Sequence, residues 1–511
     1  MTRTVVIVGG GTAGWLSAGL IAARYRGAQD ARLRVVLVES PTVATIGVGE
    51  GTWPTIRTTL KRIGVSETDF LRACDAAFKQ ASNFRGWVDG TDSYYHPFMV
   101  PKGFDTVNLA QAWARDPRGL SFDHAVAFQP QACERRLAPK RLDAPEFEGL
   151  ATYAYHLDAG KFAGFLRDHC VEKLGVTHVR ADMNRVEIDS EGYLAAIHCD
   201  GDLPVTGSRI SGDLFIDCTG FSALLIGKHC GADILAVGDQ LFIDSALAIQ
   251  VPYVQADAPI ASATVSTAQR AGWIWDIGLQ TRRGTGHVYS SRFLSDDEAL
   301  ADLSAYVGRP LKEAEVRKIP IRSGFRDRPW IRNVAAVGLA MGFVEPLEAS
   351  SIVMVELAAQ MIADQMPNDR SAMAVVAKRY NDLFAYRWRR IVDFLKLHYV
   401  LSRRGEPFWV ANRDPDTIPE SLKDMLAVWR QRFPWHDDFT NKDEIFSDAS
   451  YQYVLYGMGF KTQVPDWAYA SFDGLAAERH RADVQRARDA LDQLPGHRQL
   501  LTQLATQRLR G

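Results

Sequence analysis

Three glycines near the start of the chain have the spacing of a phosphate-binding turn. Gly9, Gly11 and Gly14 form the pattern G-x-G-x-x-G within GGGTAG. The first allows a tight turn, the second lets the backbone approach a pyrophosphate, and the third lets a helix pack closely on a strand. Peptide N–H groups at the start of that helix, around Thr12 and Ala13, then face the phosphates. The pattern therefore predicts dinucleotide binding.

The elements around these glycines support that interpretation. The run TVVIV predicts a strand before the turn, WLSAGLIAARY a helix after it, and RLRVVLVES a second strand. Glu39 ends the second strand, where an acidic side chain can accept hydrogen bonds from an adenosine ribose. Residues 1–40 thus predict a βαβ unit.

The rest of the chain adds strands first and helices later. A second glycine-rich stretch, TIGVGEGTWPTI, occupies residues 45–56, and a further strand is predicted over about 205–220, ending in DLFIDCTGF. From Ile352 the apolar spacing is helical, most clearly over 371–402. The final stretch, about 475–508, is predicted as an amphipathic, charge-mixed helical segment.

Composition excludes several classes of protein. The 511 residues carry 59 basic and 61 acidic side chains, a net charge of −2, which argues against a nucleic-acid partner. The uncharged stretch 5–23 contains five glycines and fits a turn and helix better than a membrane span. Six cysteines without a C-x-x-C pair predict reduced thiols and a cytoplasmic protein, and the scattered histidines disfavour a metal site.

Several stretches together resemble the flavin-dependent halogenases of the tryptophan halogenase type. They are GGGTAG, GVGEGTWP, AAFKQASNFRGW, GWIWDIG and NVAAVGLAMGFVEPLEASSI, and they extend over most of the chain. The resemblance implies an α/β protein with an FAD-binding Rossmann-like fold of the glutathione-reductase and hydroxylase type. An inserted β-sheet module and a mainly helical C-terminal region complete the expected fold.

The same resemblance implies a reaction and its partners. Reduced FAD (FADH2) and O2 convert chloride or bromide to hypohalous acid, which halogenates an electron-rich aromatic ring such as an indole by electrophilic substitution. A separate flavin reductase is expected to supply FADH2, since only one dinucleotide fingerprint is visible. Whether the small aromatic substrate is free or tethered to a carrier protein, and whether the protein is a homodimer, stay open.

We predict three regions in the chain and one set of flavin-binding residues. A discontinuous FAD-binding module is expected at 1–84, 151–240 and 330–370. An inserted substrate-side module is expected at 85–150 and 241–329. A helical region that covers the substrate site is expected at 371–511. The residues expected to hold FAD are Gly9, Gly11, Thr12, Ala13, Gly14, Glu39, Gly49, Glu50, Gly338, Leu339 and Ile352.

Lys79 is the residue that the resemblance places near the substrate. An ammonium can donate hydrogen bonds to hypohalous acid, and a deprotonated amine in a low-dielectric pocket can accept the halogen as a haloamine. Either route holds a diffusible oxidant in one place. The alternative is an ordinary exposed lysine on a helix over DFLRACDAAFKQ. A Lys79 amine on the outer surface would contradict the catalytic interpretation.

Glu348, within VEPLEASS, matches the second acidic residue of the family motif. A carboxylate at this place is expected to orient Lys79, stabilise the cationic intermediate and accept the ring proton. The alternative is an acid that complements the dipole of a helix over 351–366. Both roles can hold together.

Ser350 and Ser351 stand at the position of the family's halide site. The best-known members carry a threonine and a glycine there, and often a serine where this chain has Ala349. Backbone N–H groups at a helix start can bind chloride or bromide whatever the side chains. The sequence therefore predicts halide binding and leaves the choice of halide open.

Aromatic side chains are the expected substrate contacts, because flat rings can sandwich an indole and exclude water. The segment GWIWDIG ends in Gly278 where the family has a proline, and its two tryptophans should share one strand face. Ordinary sheet core and a buried loop are the alternatives for these stretches. The predicted substrate-site residues are His96, Phe98, Trp273, Trp275 and Tyr453.

Two other functions compete with halogenation. An aromatic hydroxylase, a flavin-dependent monooxygenase on the same scaffold, would consume NAD(P)H directly and insert oxygen into the ring. A non-catalytic flavin-binding or carrier-docking protein would bind FAD without further reaction. Lys79 and the two-tryptophan segment argue for the halogenase.

Overall fold

The computed structural model describes most of the chain. The described residues are 3–26, 33–43, 49–100, 104, 107–200, 209–439, 441, 444–465 and 474–509. Residues 45–48 of the second glycine-rich stretch and 205–208 of the predicted late strand lie outside this part.

Strands and helices alternate in the first half of the chain, and helices prevail in the last third. The strands are β1 Arg3–Val8, β2 Leu33–Glu39, β3 Glu50–Gly51, β4 Ala77–Lys79, β5 Ala81–Arg85, β6 Ser93–Pro97, β7 Ala154–Leu157, β8 Thr177–Arg180, β9 Asp182–Ile188, β10 Leu194–Asp200, β11 Arg209–Ser211, β12 Leu214–Asp217, β13 Leu235–Ala236, β14 Ser245–Pro252, β15 Ala263–Gln269, β16 Gly272–Gly278, β17 Arg282–Tyr289, β18 Arg317–Pro320, β19 Gly324–Phe325, β20 Trp330–Ile331, β21 Val334–Ala336 and β22 Gly342–Phe343. The α-helices are α1 Thr12–Arg24, α2 Thr55–Ile63, α3 Glu67–Ala73, α4 Leu109–Arg115, α5 Phe122–Val126, α6 Gln129–Glu134, α7 Ala159–Leu174, α8 Asp296–Val307, α9 Ser350–Asp364, α10 Arg370–Val400, α11 Pro407–Ala411, α12 Glu420–Trp429, α13 Asp448–Gly457, α14 Gly474–Asp489 and α15 His497–Leu504.

Two compact units share this chain, each built from three separate stretches. Unit 1 comprises Met1–Ala76, Leu157–Ala236 and Ser323–Trp388, and unit 2 comprises Ala77–His156, Val237–Arg322 and Arg389–Gly511. The division of labour between flavin, substrate-side and helical regions that the sequence suggests stays a prediction.

Unit 1 is organised around a six-stranded sheet in the order β20-β21-β12-β1-β2-β8. β1 lies between β2 and β12 and is parallel to both, and β20 alone runs antiparallel to its neighbour. The central strands are apolar on both faces, since Val5, Val6 and Ile7 are fully buried. Helix α1 packs against α7 and α9. This arrangement confirms the predicted βαβ unit and the α/β fold class.

Unit 2 contains a seven-stranded sheet in the order β18-β14-β17-β16-β15-β5-β6. Its strands are antiparallel to their neighbours, except that β5 and β15 are parallel. A separate antiparallel pair joins β4 to β7, with Ala77 opposite His156 and Lys79 opposite Ala154. This pair places Lys79 in a strand, so the alternative of a helix running through residue 79 is wrong.

The late part of the chain is helical, as predicted. Helices α9 and α10 cover the stretch that begins near Ile352. The predicted segment at 475–508 is two helices, α14 and α15, with the short 3-10 helix Ala490–Gln493 and then Pro495 and Gly496 between them. Within the described ranges, no helix combines the length and the apolar character that crossing a bilayer requires.

Candidate active site

The glycine-rich turn after β1 has the geometry that a bound pyrophosphate needs. Gly9 has φ +117°, and a Cβ there would lie 2.2 Å from the carbonyl oxygen of Cys218. A Cβ at Gly14 would lie 1.9 Å from the carbonyl oxygen of Gly9. Gly11 differs, because no atom of the described protein lies within 4 Å of its Cβ position. Two glycines therefore serve packing, and the third borders open space where a ligand can approach.

The N-terminus of α1 suits an anion. Gly11 is its N-cap residue, no side chain caps the first turn, and the first turn contains no acidic residue. The amide groups and the positive end of the helix dipole are therefore available to phosphate oxygens. Together with the space at Gly11, this turn fits the pyrophosphate of FAD.

Glu39 ends β2, as the sequence predicts. Its Oε2 lies 2.8 Å from Nε2 of His178, and its side chain passes so close to Gly10 that a Cβ there would be 2.3 Å away. Partial burial lowers the pKa of His178, against the opposing effect of the Glu39 carboxylate. Glu39 thus lies beside the phosphate-binding turn in the place expected for a ribose partner.

Gly338 lies next to the phosphate-binding turn. Gly338 has φ +71° in the short 3-10 helix Gly338–Ala340, and a Cβ there would lie 2.8 Å from Cβ of Ala13. Leu339 is half-buried beside it, and Ile352 is buried in α9. Glu50 begins β3, where burial raises the pKa of its carboxyl to about 7. Gly49 precedes it.

A strained turn carries Glu348. Glu348 and Ala349 have φ values of 63° and 53°, two successive left-handed residues without a glycine. The indole N–H of Trp53 donates a hydrogen bond of 2.7 Å to the carbonyl oxygen of Glu348. Left-handed backbone of this kind costs free energy and persists only where surrounding contacts fix it. Turns of this type direct successive N–H groups into a concavity that can bind an anion.

The two serines of the predicted halide site follow directly. Ser350 begins α9 and is buried, Ser351 is half-buried, and Ala349 is the N-cap residue without a side-chain cap. The carboxyl-bearing side chain of Glu348 is also buried, with 7% of the residue exposed. The first amide groups of this helix are therefore not used by a side-chain cap.

Lys79 is buried in unit 2, with 1% of the residue exposed. Its Nζ lies 5.0 Å from the centroid of the Phe98 ring, which is cation–π distance. Phe98 reaches this place because its backbone N–H donates to the carbonyl oxygen of Gln80 at 3.1 Å, directly after β6. Lys79 is therefore not on the outer surface, a position that would have contradicted a catalytic role.

His96 and Tyr453 form an aromatic group on the same unit. His96 lies in β6, and its ring centroid is 5.8 Å from that of Phe394 and 6.0 Å from that of Tyr453. Tyr453 lies in α13 and donates a hydrogen bond of 3.3 Å to the carbonyl oxygen of Met99. The YYHPF stretch is thus mainly strand. The rings of His96, Phe394 and Tyr453, which a flat substrate could contact, lie close together.

The two tryptophans of GWIWDIG share one face of β16, as the alternation predicts. Trp273 and Trp275 are both buried, with ring centroids 6.5 Å apart. Gly286 of β17 stands opposite Trp275, and a Cβ at that glycine would lie 2.2 Å from the indole ring. The small residue therefore makes the space that this indole occupies.

Several neighbours of these residues were not predicted from the sequence. Trp53 lies in the GVGEGTWP stretch, which by itself indicates no role for this side chain, whereas His156, Phe394 and His497 lie in no motif. His497 accepts a hydrogen bond of 2.9 Å from the backbone N–H of Phe78, next to Lys79, and burial lowers its pKa to about 3. Within each unit, contacts between residues far apart in the sequence place these side chains next to the predicted residues.

The fold and the phosphate-binding turn define an FAD-binding α/β enzyme. Residues 4–473 match the sequence family described as tryptophan halogenase. The chain belongs to the tryptophan halogenase family.

Individual relatives agree over almost the full length. The tryptophan 6-halogenase ThaL of Streptomyces albogriseolus is 33% identical, with 98% of each chain covered. The crystal structure of a tryptophan halogenase from Shewanella frigidimarina has 42% sequence identity and a TM-score of 0.95, covering 99% of this chain and 98% of that chain. BrvH, a flavin-dependent halogenase from Brevundimonas sp. BAL3, has 33% identity and a TM-score of 0.86, with 99% of each chain covered.

These findings confirm the predicted class of enzyme. The protein is a flavin-dependent halogenase that uses FADH2, O2 and a halide. As in its class, the reduced flavin comes from a separate reductase and the substrates are small aromatic molecules.

Proposed function

We propose that this halogenase modifies an electron-rich aromatic ring of the indole type and that Lys79 delivers the halogen. The observation that carries the proposal is the position of the Lys79 amine, buried and 5.0 Å from the Phe98 ring. An amine held against an aromatic face can guide an electrophilic halogen to a second flat ring nearby. Water exclusion keeps a reactive oxidant from being lost.

FAD would be held by the turn Gly9–Gly14, by Glu39 and by the Gly338 stretch. When bound in its reduced form it would supply one electron pair for the reduction of O2, while the halide gives up the other pair and becomes hypohalous acid. The first step that the protein's own residues carry out is binding of the halide. We assign halide binding to the turn at Glu348 and to Ser350 and Ser351, because left-handed backbone followed by an uncapped helix start offers N–H donors.

Lys79 then acts on hypohalous acid in one of two ways. As an ammonium it donates a hydrogen bond to the oxygen, the ring carbon takes the halogen, the O–X bond breaks, and the oxygen leaves as water with a proton from Lys79. As an amine it first takes the halogen itself and releases water. The ring carbon then takes the halogen as the N–X bond breaks, and the nitrogen takes up a proton, which balances the proton that the ring loses, and returns to the amine. Glu348 is assigned the ring proton, and its burial keeps its carboxyl in one orientation.

The aromatic side chains position the ring. His96, Phe98 and Tyr453 offer flat faces close to Lys79's strand, and we assign them to the substrate. We assign Trp273 and Trp275 to a wall that keeps organic substrate away from the flavin. Delivery of the substrate free or on a carrier and assembly as a homodimer are further parts of the proposal, and the experiments below address them separately. A cytoplasmic location is also part of the proposal.

Replacement of Lys79 tests the proposal. With FADH2, O2 and bromide or chloride, Lys79→Ala should lose at least about a hundredfold of its halogenated product, followed by mass spectrometry with indole as substrate. FAD binding and oxidation of FADH2 should persist. Lys140→Ala is the matched control, because Lys140 is equally buried in unit 2 and donates to the carbonyl oxygen of Pro145 at 2.7 Å.

Two outcomes would contradict the proposal. Full halogenation by Lys79→Ala would remove the lysine from the mechanism. A product that gains oxygen and no halogen, with substrate-stimulated NADPH consumption, would favour the aromatic hydroxylase instead. Carrier-bound substrate that reacts where free substrate does not would identify tethered delivery, and the mass of the protein in solution would identify a homodimer.

A further inference from the structure

A fully buried histidine stands beside the strand that carries Lys79. His156 of β7 lies opposite Ala77 of β4, two positions along the register from the pair that Lys79 makes with Ala154, with the Phe78–Tyr155 pair between them. Side chains at alternate positions of neighbouring strands share a sheet face. His156 and Lys79 therefore project from the same face of this strand pair, and both are buried.

The His156 ring is fixed from two sides. Its Nε2 is 2.8 Å from Oγ1 of Thr264, at hydrogen-bond distance, and the backbone of Gly278 lies beside the ring. Burial lowers the pKa of His156 well below its usual range, and the charge of Lys79 and the neighbouring His497 lower it further. The ring is therefore neutral, and its Nε2 shares a hydrogen bond with the threonine hydroxyl.

We propose that His156 is a positioning residue for Lys79, holding the lysine amine toward Phe98 as a neutral polar neighbour fixed by Thr264. The inference rests on the proposed role of Lys79. An imidazole without charge gives the ammonium a polar wall but no repulsion, whereas an apolar side chain would leave it desolvated.

The titratable and charged groups around this ring can be named from each element. Lys79 comes from β4 and His497 from α15, and Arg498 lies next to His497. His497 is itself kept neutral by burial, and it binds the Phe78 backbone on β4. Among the groups named here, Lys79 is thus the charged group whose electrostatic environment a substitution of His156 changes most directly.

Three variants test the proposal: His156→Leu, His156→Gln and Thr264→Val. In His156→Leu we expect kcat for halogenation to fall about tenfold or more with KM nearly unchanged, because a displaced amine reacts poorly. The limb of the pH–rate profile that Lys79 produces should move to lower pH by about one unit, since the amine loses a polar neighbour. His156→Gln, whose amide can still form a hydrogen bond with Thr264, should restore both.

Other results would overturn the inference. Wild-type kcat in His156→Leu would do so, and so would a fall in kcat with an unmoved limb or without rescue by glutamine, as a merely structural role predicts. If His156→Leu does not fold, Thr264→Val decides: the limb must move in the same direction, and an unmoved limb overturns the proposal. Lys79→Ala distinguishes failure of this inference from failure of the proposed function, because an active Lys79→Ala enzyme contradicts the proposed function itself.

Discussion

The indole nitrogen of Trp53 donates a hydrogen bond to the backbone carbonyl oxygen of Glu348 at 2.7 Å. Trp53 lies two residues before the start of α2, and Glu348 has left-handed backbone with φ 63°. One side chain thus stabilises the conformation of a turn far along the sequence. The turn in turn fixes where the first amide groups of α9 lie.

Removing this bond should loosen the turn. Trp53→Phe should lower the free energy of unfolding by about 1–3 kcal/mol, because a buried carbonyl loses its donor, and it should raise the KM for halide several-fold. Trp330→Phe is the control, since Trp330 donates a similar bond of 2.8 Å to the carbonyl oxygen of Arg332 in the same unit. Thermal unfolding and halide titration of turnover check both, and an equal change in halide KM in the two variants would contradict the prediction.

The glycines of the phosphate-binding turn should separate folding from flavin binding. Gly9→Ala places a Cβ 2.2 Å from a backbone oxygen at φ +117°, so it should impair folding. Gly11→Ala meets no protein atom within 4 Å and should keep the melting temperature of the flavin-free protein. Its FAD Kd should rise by about tenfold or more, since the methyl group occupies the space of the pyrophosphate. Flavin fluorescence measures this, and wild-type affinity in Gly11→Ala would contradict the assigned site.

A buried carboxyl in α9 should give stability a particular pH dependence. Glu356 accepts hydrogen bonds from Thr55 and Thr59, and burial raises its pKa to about 7. Between the unfolded-state value near 4.5 and about 7 the folded protein binds more protons than the unfolded chain, so stability falls as pH rises through this range. Glu356→Gln should remove up to about 3 kcal/mol of that loss.

Unfolding of both proteins at pH 5 and pH 8 measures this effect. The variant should gain stability relative to wild type as the pH is raised, because glutamine cannot ionise. Identical pH dependence in the two proteins would mean that Glu356 is already ionised at low pH.

The polar groups of α13 favour a substrate without an amino-acid head group. Gln452 donates to Asn108 and to the carbonyl oxygen of Pro434, and Tyr453 donates to the carbonyl oxygen of Met99. The Gln452 amide nitrogen and the Tyr453 hydroxyl are therefore engaged by the protein itself and not by the polar end of a substrate. Indole should be halogenated with a kcat/KM at least equal to that of tryptophan, and a strong preference for tryptophan in a competition assay would contradict this.

Local patterns predicted the phosphate-binding unit well. The strand, glycine turn, helix and strand of residues 3–39 are set by neighbours in sequence. The spacing of Gly9, Gly11 and Gly14 was therefore enough to predict the turn between β1 and α1. Lys79 shows the opposite case. Its surroundings have helical spacing, but β4 exists because it pairs with Ala154–His156, which lies far along the chain.

The same reason explains what sequence reasoning missed around the site. His156 and His497 acquire their importance from contacts with Thr264 and Phe78, and no short motif encodes such contacts. Trp53 was visible in a motif, but its bond to Glu348 spans most of the chain. The resemblance to a family could point to Lys79 because it records the outcome of folding, which local periodicity does not.

The order of strands in the six-stranded sheet has a consequence for synthesis. β1 and β2 are made first, but the strand that covers the other edge of β1, Leu214–Asp217, leaves the ribosome much later, and Val334–Ala336 later still. During that interval a nascent chain carries an unpaired edge with an apolar surface, which invites association with other chains. Production of this protein should therefore depend on chaperone capacity and on slow translation more than on its final stability.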